Sequence, residues 1–167
     1  MGLDLAQVHD YTGLAVLERV HEEQRTLYHV RHLERLQLGT PYPQIVEHVL
    51  ALLETRQLKG ATLVLDATGV GRAVADLFSI LGRRRVPVTL HAGEQMIEQD
   101  HGFRVPKKDV VAAVQVLLQA GRLKIAPALP LASVLTREME QFRSTINLTT
   151  GHESFEAWRE RDHTTSY

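Results

Sequence analysis

From residue 61 onward the chain alternates two patterns whose order leaves few folds open. Ala61-Thr-Leu-Val-Leu-Asp66 is a short continuous apolar run, as expected of a strand covered on both faces. After a glycine turn, Val70, Val74, Leu77, Phe78 and Leu81 recur at helical spacing until Gly82. Val86 to Leu90 reads as another strand. Pro106 then opens a helix with Val110, Val114, Leu117 and Leu118 on one face and Gly121 as its cap. Leu123–Ile125 reads as a short strand, and Leu131, Leu135, Met139 and Phe142 mark a further helix. Repeated strand–helix units imply parallel strands with helices on the sheet faces.

The first forty residues are different. Gly2 to Glu18 reads as two strands around a polar turn at residues 7–13, and Leu27–Leu36 as a third. A Gly-Thr-Pro-Tyr-Pro break at 39–43 precedes a helix with Ile45, Val46, Val49, Leu52 and Leu53 in helical period. Near the end, Ser144–Leu148 and Ser154–Trp158 flank Thr-Thr-Gly-His as a β-hairpin, spanning about 144–158. The expected class is therefore α/β: a mixed sheet flanked by helices, with a C-terminal hairpin, in a single domain of residues 1–167. In that topology the first strand is central, with the strand ending at Asp66 parallel beside it.

This arrangement gives meaning to Leu3-Asp4-Leu5, an aspartate inside the first apolar run. A buried carboxylate is costly unless paired or bound to a cation. Asp66 closes the neighbouring strand, and two adjacent carboxylates cannot both stay ionised without a counter-charge. Hard oxygen ligands suit Mg2+ or Mn2+, and paired ions of that kind clamp the oxygens of a phosphodiester displacement. Taken singly, Asp66 also reads as a turn former or helix cap, and Asp10 as a turn residue.

Several other features set limits. The chain has no cysteine, which excludes disulfides, thiolate zinc sites and a cysteine nucleophile. No apolar run approaches the ~20 residues of a membrane span, and no signal peptide precedes Asp4. Net charge is −1, so composition does not announce nucleic-acid binding. Basic residues cluster at Arg83-Arg84-Arg85, which reads as a solvated helix end, and at Lys107-Lys108, which reads equally as surface charge or a phosphate contact. Gly69-Val70-Gly71 lacks the third glycine of a dinucleotide fingerprint and the lysine of a P-loop, so its glycines serve a tight turn. His29 and His32, at odd spacing on one strand, should face opposite ways, against a histidine metal site. Trp158 reads as a packing anchor.

The stretches GLDLAQVHDYTGLAVLE, TLVLDATGVGRAVADLF, VPKKDVVAAVQVLLQAGRLKIA and REMEQFRSTINLTTGHESFEAWRERDH together resemble the nuclease domain of phage terminase large subunits. The resemblance runs in order from residue 2 to about 163. It implies a ribonuclease H-like fold and a metal-dependent endonuclease that cuts double-stranded DNA during packaging with Mg2+ or Mn2+. It implies Asp4 and Asp66 as metal ligands and catalytic residues, with Asp10 lining the same site. Lys107, Lys108 and Arg72 become candidate DNA contacts. The implied setting is the cytoplasm of a host cell, with an ATPase motor, small terminase and portal as partners.

Two departures shape the expectation. The family's third metal aspartate comes from an acidic pair after a histidine, opening a final helix. Here Thr164 and Thr165 follow His163, that helix is missing, and Asp162 is the candidate substitute. The chain also carries no G-x4-G-K-[ST] loop, hence no ATPase domain. A nuclease of reduced activity with one metal site is expected; the alternatives are a non-catalytic or decayed prophage remnant, or a resolvase- or transposase-like nuclease of the same fold.

Overall fold

The computed structural model describes residues 1–6, 10–80, 85–146 and 153–157. Asp162, His163 and Trp158 lie outside them, as do Arg83 and Arg84. Three antiparallel strands come first: β1 (Gly2–Asp4), β2 (Gly13–His21) and β3 (Thr26–Arg35). Helix α1 (Tyr42–Glu54) follows, then β4 (Leu63–Asp66), α2 (Gly71–Ile80) and β5 (Arg85–His91). The chain continues through β6 (Ile97–Gln99), β7 (Gly102–Pro106), α3 (Lys107–Gln119) and β8 (Leu123–Ile125). Helix α4 (Ala132–Gln141) leads into the hairpin β9 (Phe142–Ile146) and β10 (Glu153–Ala157).

Eight strands form one mixed sheet in the order β6-β7-β5-β4-β1-β2-β3-β8, and β9 pairs with β10 separately. As the strand–helix alternation requires, β1 is central, antiparallel to β2 and parallel to β4. The main core lies between the sheet and helices α1 and α2. Leu3, Leu63 and Leu65 from the strands meet Ile45, Val49, Val74 and Phe78 from the helices, all nearly inaccessible to solvent. Burying each such side chain contributes about 1.5–3 kcal/mol, so this face holds the strands that carry the aspartates.

The unforeseen strands are β6 and β7. Ile97–Gln99 is exposed throughout, so it has no alternation to read, and Gly102–Pro106 merges with the helix start at Pro106. Their pairing places β7 parallel to β5 and extends the sheet by two strands. Phe142, expected to end the last helix, begins β9 instead. Helix α3 ends as expected at Gly121, which takes a positive φ of 62°. The Arg122 amide donates to Leu117 O and the Gly121 amide to Leu118 O, the paired bonds of a Schellman cap.

A bulge corrects the reading of the histidines. Val16 pairs with His32 but Leu17 with Val30, leaving Arg31 as an extra residue. One inserted residue reverses side-chain parity. His29 and His32 therefore share a face, through their partners Glu18 and Val16. The bulge also turns His32 and Glu34 toward α1, where Glu34 accepts from His32 Nε2 at 3.1 Å and from His48 Nε2 at 2.9 Å. Burial opposes ionisation of Glu34, but the hydrogen bonds and charge of His48 and His32 outweigh it and hold its carboxyl below the usual value. A depressed carboxyl stabilises the fold above its unfolded pKa of about 4.3 and loses that contribution as pH falls through the folded value. Glu34→Gln should thus cost about 1–2 kcal/mol at neutral pH. In thermal melts its deficit should persist on acidification through the histidine range and shrink only below about pH 4.3, where the carboxyl itself protonates.

Arg85 also departs from the solvated helix end expected of its cluster. It opens β5, and its Nε donates to Ala75 O on α2 at 2.6 Å.

Candidate functional site

The sheet face opposite α1 and α2 is only partly covered. Helices α3 and α4 flank a groove of about 590 Å³ whose floor includes Val64, Val88, Leu90 and Ala15. Val64, on a central strand, remains 41% exposed. The floor is apolar; of the charged residues that line the groove, Asp4 and Asp66 stand at the ends of β1 and β4, Glu34 and Arg35 at the end of β3, and Glu138 on α4.

Pairing places those residues. Gly2 lies beside Val64 and Leu3 beside Leu65 on parallel strands, so Asp4 and Asp66 stand next to each other at the strands' carboxyl ends. Leu3 and Leu65 face the helical core, and strict alternation sends Asp4 and Asp66 to the groove, which both line. Asp4 opens to the groove, yet the protein around it raises its carboxyl above the ordinary aspartate value. Desolvation is the largest cause, followed by the charges of Asp66 and then Asp10, with Lys107 opposing them. The residue that made the apolar run anomalous is thus one whose ionised form the fold disfavours.

Asp66 has two tasks. Its Oδ1 accepts from the Thr68 amide at 2.8 Å, an Asx turn that starts the connection to α2. That bond orients the carboxylate without occupying both oxygens. Gly69 takes φ 60°, and a Cβ at Gly71 would sit 2.0 Å from Asp66 O. The glycines accordingly serve the turn: the first for its left-handed backbone, the second because α2 begins against the carbonyl of Asp66.

Asp10 belongs to the β1–β2 connection. Thr12, buried to 4% exposure, closes that connection: its hydroxyl donates to Ala6 O at 2.8 Å and accepts from the Ala6 amide at 3.1 Å. Asp10 is exposed and acts on Asp4 through its charge. Among the described residues, no three His, Asp or Glu side chains gather closely enough to enclose a metal ion. The groove therefore offers the carboxylate pair Asp4 and Asp66 as its candidate ligands.

The candidate cations divide. Lys107, at the first position of α3, acts electrostatically on Asp4. Lys108, one residue on, pairs with the exposed Glu94. Arg72 is exposed in the first turn of α2. A further arginine joins them that the sequence does not single out: Arg35, at the end of β3, lines the groove with Glu138 of α4. Its guanidinium pairs with Glu138 and lies 5.4 Å from the centroid of the Tyr11 ring. Nothing in a lone strand-end arginine signals this, because the partners come from distant segments.

Among the described residues no helix is long and apolar enough to cross a membrane. No protein-family model matches the sequence, and no curated protein does. Solved structures do match in shape. The large terminase nuclease from thermophilic phage G20c with bound magnesium superposes with TM-score 0.67 at 20% identity, over 97% of this chain and 72% of that one. A second structure of that nuclease gives 0.65 at 19% identity, over 95% and 71%. The form with bound zinc gives 0.58 at 20%, over 85% and 68%. The chain therefore has the ribonuclease H-like fold of a large-terminase nuclease domain.

Proposed function

We propose that this chain is a metal-dependent DNA endonuclease domain of the large-terminase kind, binding Mg2+ or Mn2+ between Asp4 and Asp66. The observation that carries this reading is the adjacency of the two carboxylates in one groove, with Asp4 driven toward protonation in part by its neighbour. Two hard oxygen donors that repel each other fit a divalent cation. An ion held by Asp4 and Asp66 would neutralise the pair and would supply Lewis-acid polarisation of a phosphoryl oxygen. Asp4 and Asp66 serve as ligands, the latter oriented by the Thr68 amide. Asp10 adds negative charge at the same end, and Lys107 draws the anionic DNA backbone to the carboxylates. The bound magnesium in the G20c nuclease is a precedent in the same fold.

The whole chain, 1–167, acts in this reading as one nuclease domain in the host cytoplasm. It cuts concatemeric DNA beside an ATPase motor, small terminase and portal. Asp162 is the proposed substitute for the third acidic ligand, since Thr164 and Thr165 stand where the acidic pair of the family would be. Loss of a metal-supporting group costs about 10–100-fold in affinity or activity. With supercoiled plasmid and manganese, slow nicking that disappears in Asp4→Asn is expected. Absence of any Asp4-dependent nicking would overturn the endonuclease reading in favour of a non-catalytic remnant.

A further inference from the structure

The residues beside the carboxylate pair form a row across the sheet. Asp4 pairs with Gly13 on β2, and Gly13 with Arg35 on β3. Directly paired residues project to the same side of a sheet, so Asp66, Asp4, Gly13 and Arg35 follow one another on the groove face. Arg35 thus stands two strand spacings from Asp4, about 10 Å at the backbone. Between them the row has no side chain. A Cβ at Gly13 would meet nothing within 4 Å, and its φ lies outside the left-handed region, so neither packing nor backbone geometry demands glycine there. The consequence of glycine is an open slot between the acids and the arginine.

Arg35 is held ready for an anion that offers two oxygens. The Tyr11 ring lies beneath its guanidinium and the clamp of Thr12 holds the adjoining connection. Among the described residues only its Nη2 is hydrogen-bonded, to Glu138. Both side chains are partly exposed, at 32% and 46%, and such pairs contribute little to stability. The two non-bridging oxygens of a phosphodiester can meet the guanidinium fork as a carboxylate's oxygens do.

We propose that Arg35 contacts a DNA backbone phosphate next to the one held at Asp4 and Asp66, and that Glu138 is its intramolecular competitor. The strand runs through the Gly13 slot, and α4 yields its ion pair when DNA seats. This rests on the nuclease reading and extends it to how the site admits its substrate.

The test is binding of a fluorescent DNA duplex in calcium over a salt series, with manganese-dependent melting of each variant measured alongside. Arg35→Gln should weaken binding and reduce the slope of log affinity against log salt by about 0.9, one phosphate contact. Glu138→Gln should strengthen binding roughly two- to fivefold, the size expected for an exposed ion pair, and should have no effect when Arg35→Gln is also present. Gly13→Val, compatible with an extended strand, should weaken binding by filling the slot. An unchanged salt slope in Arg35→Gln, or equal Glu138→Gln effects with and without Arg35, would overturn the proposal while Asp4-dependent manganese stabilisation leaves the nuclease reading standing. Absence of DNA binding by the unaltered protein would overturn it as well; absence of manganese stabilisation would count against the nuclease reading itself.

Discussion

Replacing Asp4 with asparagine should raise the melting temperature of the metal-free protein at neutral pH and abolish its response to metal. The first effect follows from the raised carboxyl, caused by desolvation and then by Asp66 and Asp10. Between the ordinary aspartate value of about 3.9 and the raised folded value, the native state binds more protons than the unfolded chain. Stability therefore falls as pH rises through that window and stays lowered above it. Asparagine keeps the shape and removes the charge, so the penalty disappears. The second effect is linkage. Manganese at a hundredfold excess over its dissociation constant stabilises by about 2.7 kcal/mol, roughly 5–10 °C for a chain of this size. The unaltered protein should show that rise and Asp4→Asn should not. Thermal melts with and without manganese measure both, and an equal rise in the variant would remove Asp4 from the metal site.

The largest structural effect is expected at Gly71. A methyl group there would lie 2.0 Å from Asp66 O and 2.9 Å from Asp66 C, and neither atom belongs to a flexible side chain. Either α2 shifts off the sheet or the end of β4 moves, with Phe78 and Val74 of α2 drawn from the core. Gly71→Ala should cost about 3 kcal/mol or more, a fall of roughly 6–12 °C or outright failure to fold. Gly69→Ala is the informative comparison. Its φ is positive but its surroundings are open, so the cost should be only about 1–2 kcal/mol of backbone strain. If the two variants melt together, the close approach at Asp66 does not govern this turn.

The parts of the fold that were legible are those in which one physical requirement dominates. An aspartate within an apolar run has few stable environments; a second one closing the parallel neighbour at position 66 made a shared groove the economical solution. The strand–helix alternation after residue 61 implied the central position of β1. Short edge strands gave no such signal: Ile97–Gln99 buries nothing, so its sequence is free of pattern. The bulge at Arg31 is equally silent, and one extra residue was enough to reverse the expected facing of His29 and His32. Arg35 carries no local signal for a third reason. Its partners Tyr11 and Glu138 are 24 and 103 residues away in sequence, and only the register of three strands brings it into line with Asp4.

The cation proposed between two carboxylates can be located directly. Crystals of the protein grown with manganese should show an anomalous scattering peak within coordination distance of both Asp4 and Asp66, lost in Asp4→Asn. A peak elsewhere, or none at concentrations that stabilise the protein, would contradict the metal site on which the endonuclease reading stands.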